Sequence, residues 1–591
     1  MGFIKKMKTY VFLLFVGLLF PYNLLAVNYY SYQSGNWNVT TNWTQDPSGT
    51  TLVGSAIPGN TDNVTILNGD IITMPGNGYT VASLFIEEGG TLDLVATTGH
   101  NFGTVTGQGL LRINSFTFPA GNFTAFVAAG GGTVEYYDIA SGTLPEIFTY
   151  NNLVLSNSTA TAREYFFYSD APTTYTINGN FTVLNTGAGA FTVTIGTANK
   201  IATFDIYGNV TISTNSTIRN NATKNAKHQF NCFGDFINNG TVDFWSSNLS
   251  YILVSFKGAS NNTFACNGST RLYNIEVNKD VSYNYTLHLT SSVLGNLIFE
   301  ATGGDLLLIT NGALRLGSNI NLPRISFSTP YVLGTATNNP CLWIDGATVS
   351  MNTSELQTYG KIRVSSGSFS INGGAGLVMR STAEYQQEGG EVSCFQLMPD
   401  VTTGHRGSFN MSGGTMRVNG SGGDNQYARF SLPHPGQSFI MSGGSLIVSN
   451  ATSNGVAVNG GIMIACDIAN CSVTGGTVVA EINTDTDFHV ATTAPFYNFE
   501  VKKTGGTGTC RLDGIKTSSA DLAALPITVL ANFTIESANN PLFNANNQNV
   551  YIGGDFNIKV GGTYVPGINT TCLIQLLKNV TLLLPVLHTT L

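Results

Sequence analysis

A chain of 591 residues is long enough for several domains or one extended repeat, and its 42% apolar content excludes a disordered polymer. Only 10% of the residues are charged, against about a quarter in ordinary soluble domains. With a formal net charge of -8 there is no basic stripe to displace counterions from phosphates, which argues against a nucleic-acid partner. Polarity comes instead from Asn, Thr and Ser beside 67 glycines, a composition that suits strands and turns.

Residues 1–26 read as an export signal. Lys5, Lys6 and Lys8 form a positive start, "VFLLFVGLLF" from Val11 to Phe20 is the apolar centre, and "PYNLLA" ends on the small residue Ala26. The apolar run falls short of the roughly 20 residues that span a bilayer. No Cys follows it for lipid attachment, and no later segment is long and apolar enough to cross. The mature chain is therefore expected to be secreted or at the cell surface, without a transmembrane segment.

Residues 27–145 are expected to hold an N-terminal cap and the first turns of a coil. "SGNWNVTTNW" from Ser34 supplies Trp37 and Trp43, which would cover the apolar end of the first turn. An uncapped coil exposes its core and a strand edge.

Between 146 and 571 three phrases recur. One is apolar-x-Gly-Asn/Asp-apolar-x-apolar, as in "INGNFTV" from Ile177, "IYGNVTI" from Ile206, "CFGDFIN" from Cys232 and "IGGDFNI" from Ile552. Another is "TYNNLVL" from Thr149, "LYNIEV" from Leu272 and "FYNFEV" from Phe496. The third pairs "SFNMSGGTMRVN" from Ser408 with "SFIMSGGSLIVS" from Ser438, and groups with them "SFSINGGAGLVM" from Ser368 and "CSVTGGTVVAEI" from Cys471. Within each phrase apolar and polar residues alternate, the period of a strand with one face inward. Gly-Gly, Asn-Gly and Gly-Asp steps mark corners. Copies recur at irregular spacing, which indicates a coil with loops of variable length. One turn cannot bury enough apolar surface to stand alone, so each must stack on the next. The expected fold is all-β, a right-handed parallel β-helix with an N-terminal capping region; a string of β-sandwiches would lack a dominant corner phrase.

The opening "SGNWNVTTNW", then "AIPGNTDNVTILNGDIITM" from Ala56, "TVASLFIEEGGTLDL" from Thr80 and "GGTVEYY" from Gly131 resemble the large exported repeat proteins of Bacteroidota. The resemblance covers Asn28 to about Thr571. It implies parallel β-helix turns and a secreted or cell-surface, adhesin-like protein, and it carries over no catalytic residue. Such proteins commonly end in a sorting domain for type IX secretion. Here residues 572–591 abandon the alternation in "CLIQLLKNVTLLLPVLHTTL", so this tail is read as the end of a truncated or frame-shifted chain, or as an unusual capping turn.

Chemistry-bearing residues are sparse. In "NTDTDFHV", Asp485, Asp487 and His489 occupy alternate positions and would share a strand face, the best candidate for a divalent cation or proton transfer. A solvated outer face is the alternative. His100 and His405 stand alone beside glycines and are read as exposed turn residues. The eight cysteines form no C-x-x-C pair. Only Cys466 and Cys471 are close, either as buried thiols or as a disulfide. Asn180 and Asn209 fit as corner or ladder residues whose amides bond along the coil. The function these features favour is a structural or adhesin-like protein that binds glycans or cell-surface components through an extended face. A carbohydrate-active β-helix enzyme, a lyase or hydrolase, is the first alternative, and a passive spacer for a C-terminal module the second.

Overall fold

In the computed structural model each turn of chain lays its strands parallel onto the strands of the next turn. It describes residues 26–567 and 572–574, except 51–52, 55, 169–170, 197–198, 281–282, 329, 352–354, 372, 374–375, 400–405, 420–426, 450–459 and 517–520. Nearly all of residues 1–26, read above as an export signal, most of the C-terminal tail, and His405 thus lie outside the described residues. The chain is an all-β parallel β-helix. It divides into two compact units, 1–168 with 175–192, and 169–174 with 193–591.

In the first unit, Asn63–Ile66, Ser83–Ile86 and Asn101–Gly107 stack as one sheet, while Ile71–Thr73, Thr91–Asp93 and Leu110–Ile113 stack as a second. Beside Asn63–Ile66 the ladder changes direction. Trp43–Thr44 pairs antiparallel with Asn28–Ser31, whose other edge pairs parallel with Asn63–Ile66. A strand running against the others stops the stack, because a parallel edge would otherwise offer unpaired amides. Trp37 and Trp43 are both fully buried and meet edge to face at 4.8 Å, and the Trp43 indole N–H donates to the Trp37 carbonyl at 2.7 Å.

The second unit shows how a turn is built. Ala202–Ile206, Val210–Ile212 and Ser216–Asn220 belong to three different sheets, and each pairs with its counterpart one turn later: Lys227–Cys232, Phe236–Asn238 and Thr241–Asp243. Inward and outward residues alternate, as in Asn262–Cys266 and Ile275–Lys279. The Asn and Asp of the Gly-Asn/Asp phrase bind the corners together. The Asn209 side-chain carbonyl accepts from the Asp235 backbone N–H at 2.9 Å, and Asp235 in turn accepts from Thr263 N–H at 2.8 Å. Asn498, Asn532 and Asp555 repeat the device at 3.2 and 3.1 Å, and in the first unit Asn152 accepts from Asn180 at 2.8 Å.

From Cys341 onward long strands bend through a glycine corner, as in Cys341–Met351, Lys361–Ile371 and Ser438–Ser449. The two nearly identical phrases are adjacent turns in register, Phe409 on Phe439 and Met416 on Leu446. Cys471 continues the first of these columns and Val478 the second. The copy from Ser368 does not belong with them: Phe369 stacks on Val392, and Val392 on Met416, so that phrase lies past the corner, where Phe409 precedes it. The sheet containing Gly460–Ile464 and Phe488–Thr492 also departs from simple alternation, being buried on both faces. Ala428, Met463, Ala491 and Ile515 form a cluster there, with Leu522 of the covering hairpin packed against it.

At the bend, Gly414 has φ 73° and Gly444 φ 77°, a region that disfavours side chains. A Cβ on Gly414 would stand 2.5 Å from the Gly389 backbone in the turn beneath. Gly414→Ala is therefore expected to cost roughly 2–4 kcal/mol from backbone strain and the clash. Gly303, with nothing within 4 Å of such a Cβ, should accept Ala with a change of under about 0.5 kcal/mol. Urea unfolding of the two variants measures the difference.

Candidate functional site

Three places concentrate chemistry. The first is the acidic cluster of the sequence. Asp485 and Asp487 lie in the turn that precedes the strand Phe488–Thr492, so they do not extend a common strand with His489. Both carboxylates act as rungs of the ladder. Asp485 accepts from the Thr507 N–H at 2.8 Å and hydroxyl at 3.0 Å, and Asp487 from the Thr509 N–H at 2.9 Å and hydroxyl at 2.8 Å. The second Asp487 oxygen meets Arg511 at 3.3 Å. Burial works against the Asp487 charge, but the Thr509 and Arg511 bonds overcome it and hold the pKa below the usual carboxylate value. His489 is buried, with Ala491 of the same outward face in the covered cluster, and burial lowers its pKa. Among the described residues no three His, Cys, Asp or Glu side chains converge to hold a metal ion. At the candidate cation site of Asp485, Asp487 and His489, both carboxylates are therefore engaged in cross-turn hydrogen bonds and the imidazole is buried. His100 also differs from expectation. It is 1% exposed, stacks on Phe102 at 5.6 Å, and accepts from the Tyr79 N–H at 3.2 Å.

The second place is the cysteine pair. Cys466 is buried and Cys471 half-buried, both are free thiols, and the two side chains hydrogen-bond to each other. That bond, with burial, raises the Cys466 pKa, while the same bond lowers that of Cys471. Cys471 also donates to the Asp467 carbonyl at 3.5 Å, across the short 3-10 turn Ile468–Asn470. Cys471, the more exposed of the two, is the thiol open to attack from solvent.

The third place was not singled out by sequence reasoning. In the first unit a shallow groove of about 570 Å³ crosses successive turns, lined by Asn68, Phe85, Glu87, Glu88, Thr106 and Gln108, with a wall at Ala125 and Ala129–Gly131. Phe85 is 42% exposed, although its neighbours Leu84 and Ile86 are fully buried. Glu87 is fixed by the Asn68 N–H at 3.0 Å, and Gln108 donates to the Gly130 carbonyl at 3.1 Å. Glu88 is exposed. An aromatic face beside carboxylates and amides can take a sugar ring, with its C–H face on Phe85 and its hydroxyls donating to the carboxylates. The available signal was "LFIEEGG": an aromatic at an outward position, followed directly by two carboxylates.

No protein-family model, curated protein or solved structure matches this chain. Among the described residues no helix is long and apolar enough to cross a membrane.

Two outcomes check these assignments. Asp487→Asn should lower stability by about 1 kcal/mol at neutral pH, through loss of the partly exposed ion pair with Arg511. Because the folded pKa lies below the unfolded one, the wild-type advantage is present at neutral pH and is lost as pH falls through the folded value. Unfolding curves of wild type and variant should therefore differ at neutral pH and converge at acid pH, and a chelator should shift neither. A thiol oxidant such as diamide should close Cys466 to Cys471 before any other pair, with the linkage located by peptide mapping, because Cys471 is only half-buried whereas Cys232, Cys266, Cys341, Cys394 and Cys510 are buried.

Proposed function

We propose that this chain is an exported, secreted or surface-displayed β-helix protein that binds neutral glycans through its outer face, with the Phe85 groove as one seat. The observation that carries the reading is the exposed Phe85 ring set beside Glu87, Glu88 and Gln108 in a groove built across stacked turns. Carboxylates repel anionic polysaccharides and accept hydrogen bonds from sugar hydroxyls, which favours uncharged chains. The leader of residues 1–26 and the low charge support export and a polar, weakly charged exterior. Repetition of a shallow site over a surface compensates for weak single contacts.

A glycan array probed with the full chain tests the proposal. Binding to neutral glycans is expected, weakened about tenfold or more by Phe85→Ala and by Glu88→Gln. Equal binding by both variants would remove the groove from the reading. Release of new reducing or unsaturated ends from a bound polysaccharide would favour the carbohydrate-active enzyme instead.

A further inference from the structure

Corners of this coil are closed by buried amides. Asn238 donates to the Ser269 carbonyl at 2.9 Å and accepts from the Gly240 N–H at 3.0 Å, and Asn157 and Asn185 both donate to the Gly189 carbonyl. One corner is different. Asn262, 7% exposed, donates from Nδ2 to the Phe233 carbonyl at 3.1 Å, but its Oδ1 faces the amine of Lys279. Lys279 is the last residue of the strand Ile275–Lys279, 2% exposed, and its Nζ also donates to the Ser260 carbonyl at 2.8 Å. Among the described residues, no carboxylate is a hydrogen-bond partner of its amine. Gly312 lies against the lysine stem: a Cβ there would stand 2.7 Å from the Lys279 Cβ.

A buried amine without an ion pair is driven toward its neutral form. Burial brings the Lys279 pKa down to about 8, despite the opposing pull of the nearby Asp235 carboxylate and the Cys232 thiol. Asp235 sits one turn below, anchored by Oδ1 to the backbone N–H of Thr263, the residue after Asn262. Three consecutive turns therefore contribute a carboxylate, a carboxamide and an amine to one corner.

We propose that Lys279 and Asn262 join spontaneously in an isopeptide bond that staples adjacent turns. Asp235 takes a proton from the Lys279 ammonium, and the neutral Nζ attacks Cγ of Asn262, whose oxygen is already engaged by hydrogen bonding. The tetrahedral adduct collapses as its C–Nδ2 bond breaks, with the proton carried by Asp235 delivered to the departing nitrogen. The ammonium and the carboxamide become one secondary amide plus an ammonium ion. Atoms and charge balance without any oxidant or cofactor. Fixed proximity of the groups supplies the rate that a free amine and amide lack.

Mass spectrometry of the purified full chain tests this directly. The expected result is a mass lower than the sequence mass by one ammonia, and a branched tryptic peptide in which Lys279 is joined to the segment containing Asn262, with no cleavage after Lys279. Lys279→Arg, which keeps hydrogen-bond donors at the corner, should restore the sequence mass and lower the unfolding temperature. Asp235→Asn, which keeps an acceptor for Thr263 but cannot carry the proton, should leave most of the chain unlinked. Recovery of a linear peptide ending at an unmodified Lys279, together with the intact Asn262 amide, as the main wild-type species would overturn the proposal.

Discussion

The structure rests on one constraint: the strands of each turn must find their backbone partners in neighbouring turns, in register. A column of side chains is fixed as soon as the backbones pair, so inward positions repeat in kind. Tyr385, Phe409 and Phe439 stack nearly parallel one over another, with ring centroids 5.2 and 5.7 Å apart. Phe236 on Phe264 at 4.7 Å follows the same rule in another column. The repetition that made the phrases visible in the sequence is the signature of this stacking.

The corners impose the second demand. There the chain leaves the ladder, and a carbonyl or N–H turned inward would cost about 1–3 kcal/mol if left unbonded. Buried amides meet that need. Gln387, fully buried, donates to the Thr415 carbonyl at 3.0 Å and to the carbonyls of Gly389 and Gly390, while its own oxygen accepts from the Tyr385 hydroxyl at 2.7 Å. Asn is enriched because a short amide both donates and accepts where the backbone turns. The same economy governs the outer charges, which pair across turns. Arg271 grips Asp243 through two bonds of 2.8 and 2.7 Å, and Arg112 meets Glu135 at 2.7 Å. Arg315 and Arg363 cover the two faces of Trp343 at 4.5 and 3.9 Å while binding Asp345 and Glu388.

How far the sequence could be read follows from these two demands. Column residues such as Phe409 and Phe439, the corner Asn209 and Asp235, and the capping Trp37 and Trp43 are legible because each obeys a local rule of period or turn. What is hidden depends on length and on cover. A turn takes 20 residues between Leu342 and Ile362 but 34 between Phe499 and Phe533, so phase cannot be carried from one phrase to the next. This is why the Ser368 copy reads like its neighbours and sits across the corner from them. Burial of Ala491, on the same strand face as His489, follows from Ile515 and Leu522, residues of a hairpin that no alternation announces. The Phe85 groove escaped for a related reason: its walls come from Asn68, Gln108 and Gly130, which meet only when the turns stack.

Stacking also decides where such a chain is free to acquire function. Inward columns are constrained by the turns above and below, and corner amides by the carbonyls they satisfy, so a change at either propagates. Outward positions carry no such debt, and loops between strands vary in length without disturbing register. The groove uses both freedoms, an outward Phe85 and the segment that includes the short helix Thr124–Val127. Lys279 stands apart from this pattern. It is a cation at an inward position, where the repeating solution elsewhere is a neutral amide. Removing an ammonium from water costs several kcal/mol, and that cost falls if the nitrogen ends as an amide like those at the other corners. Conversion of Lys279 and Asn262 into a single amide would bring the exceptional corner under the rule that the others obey.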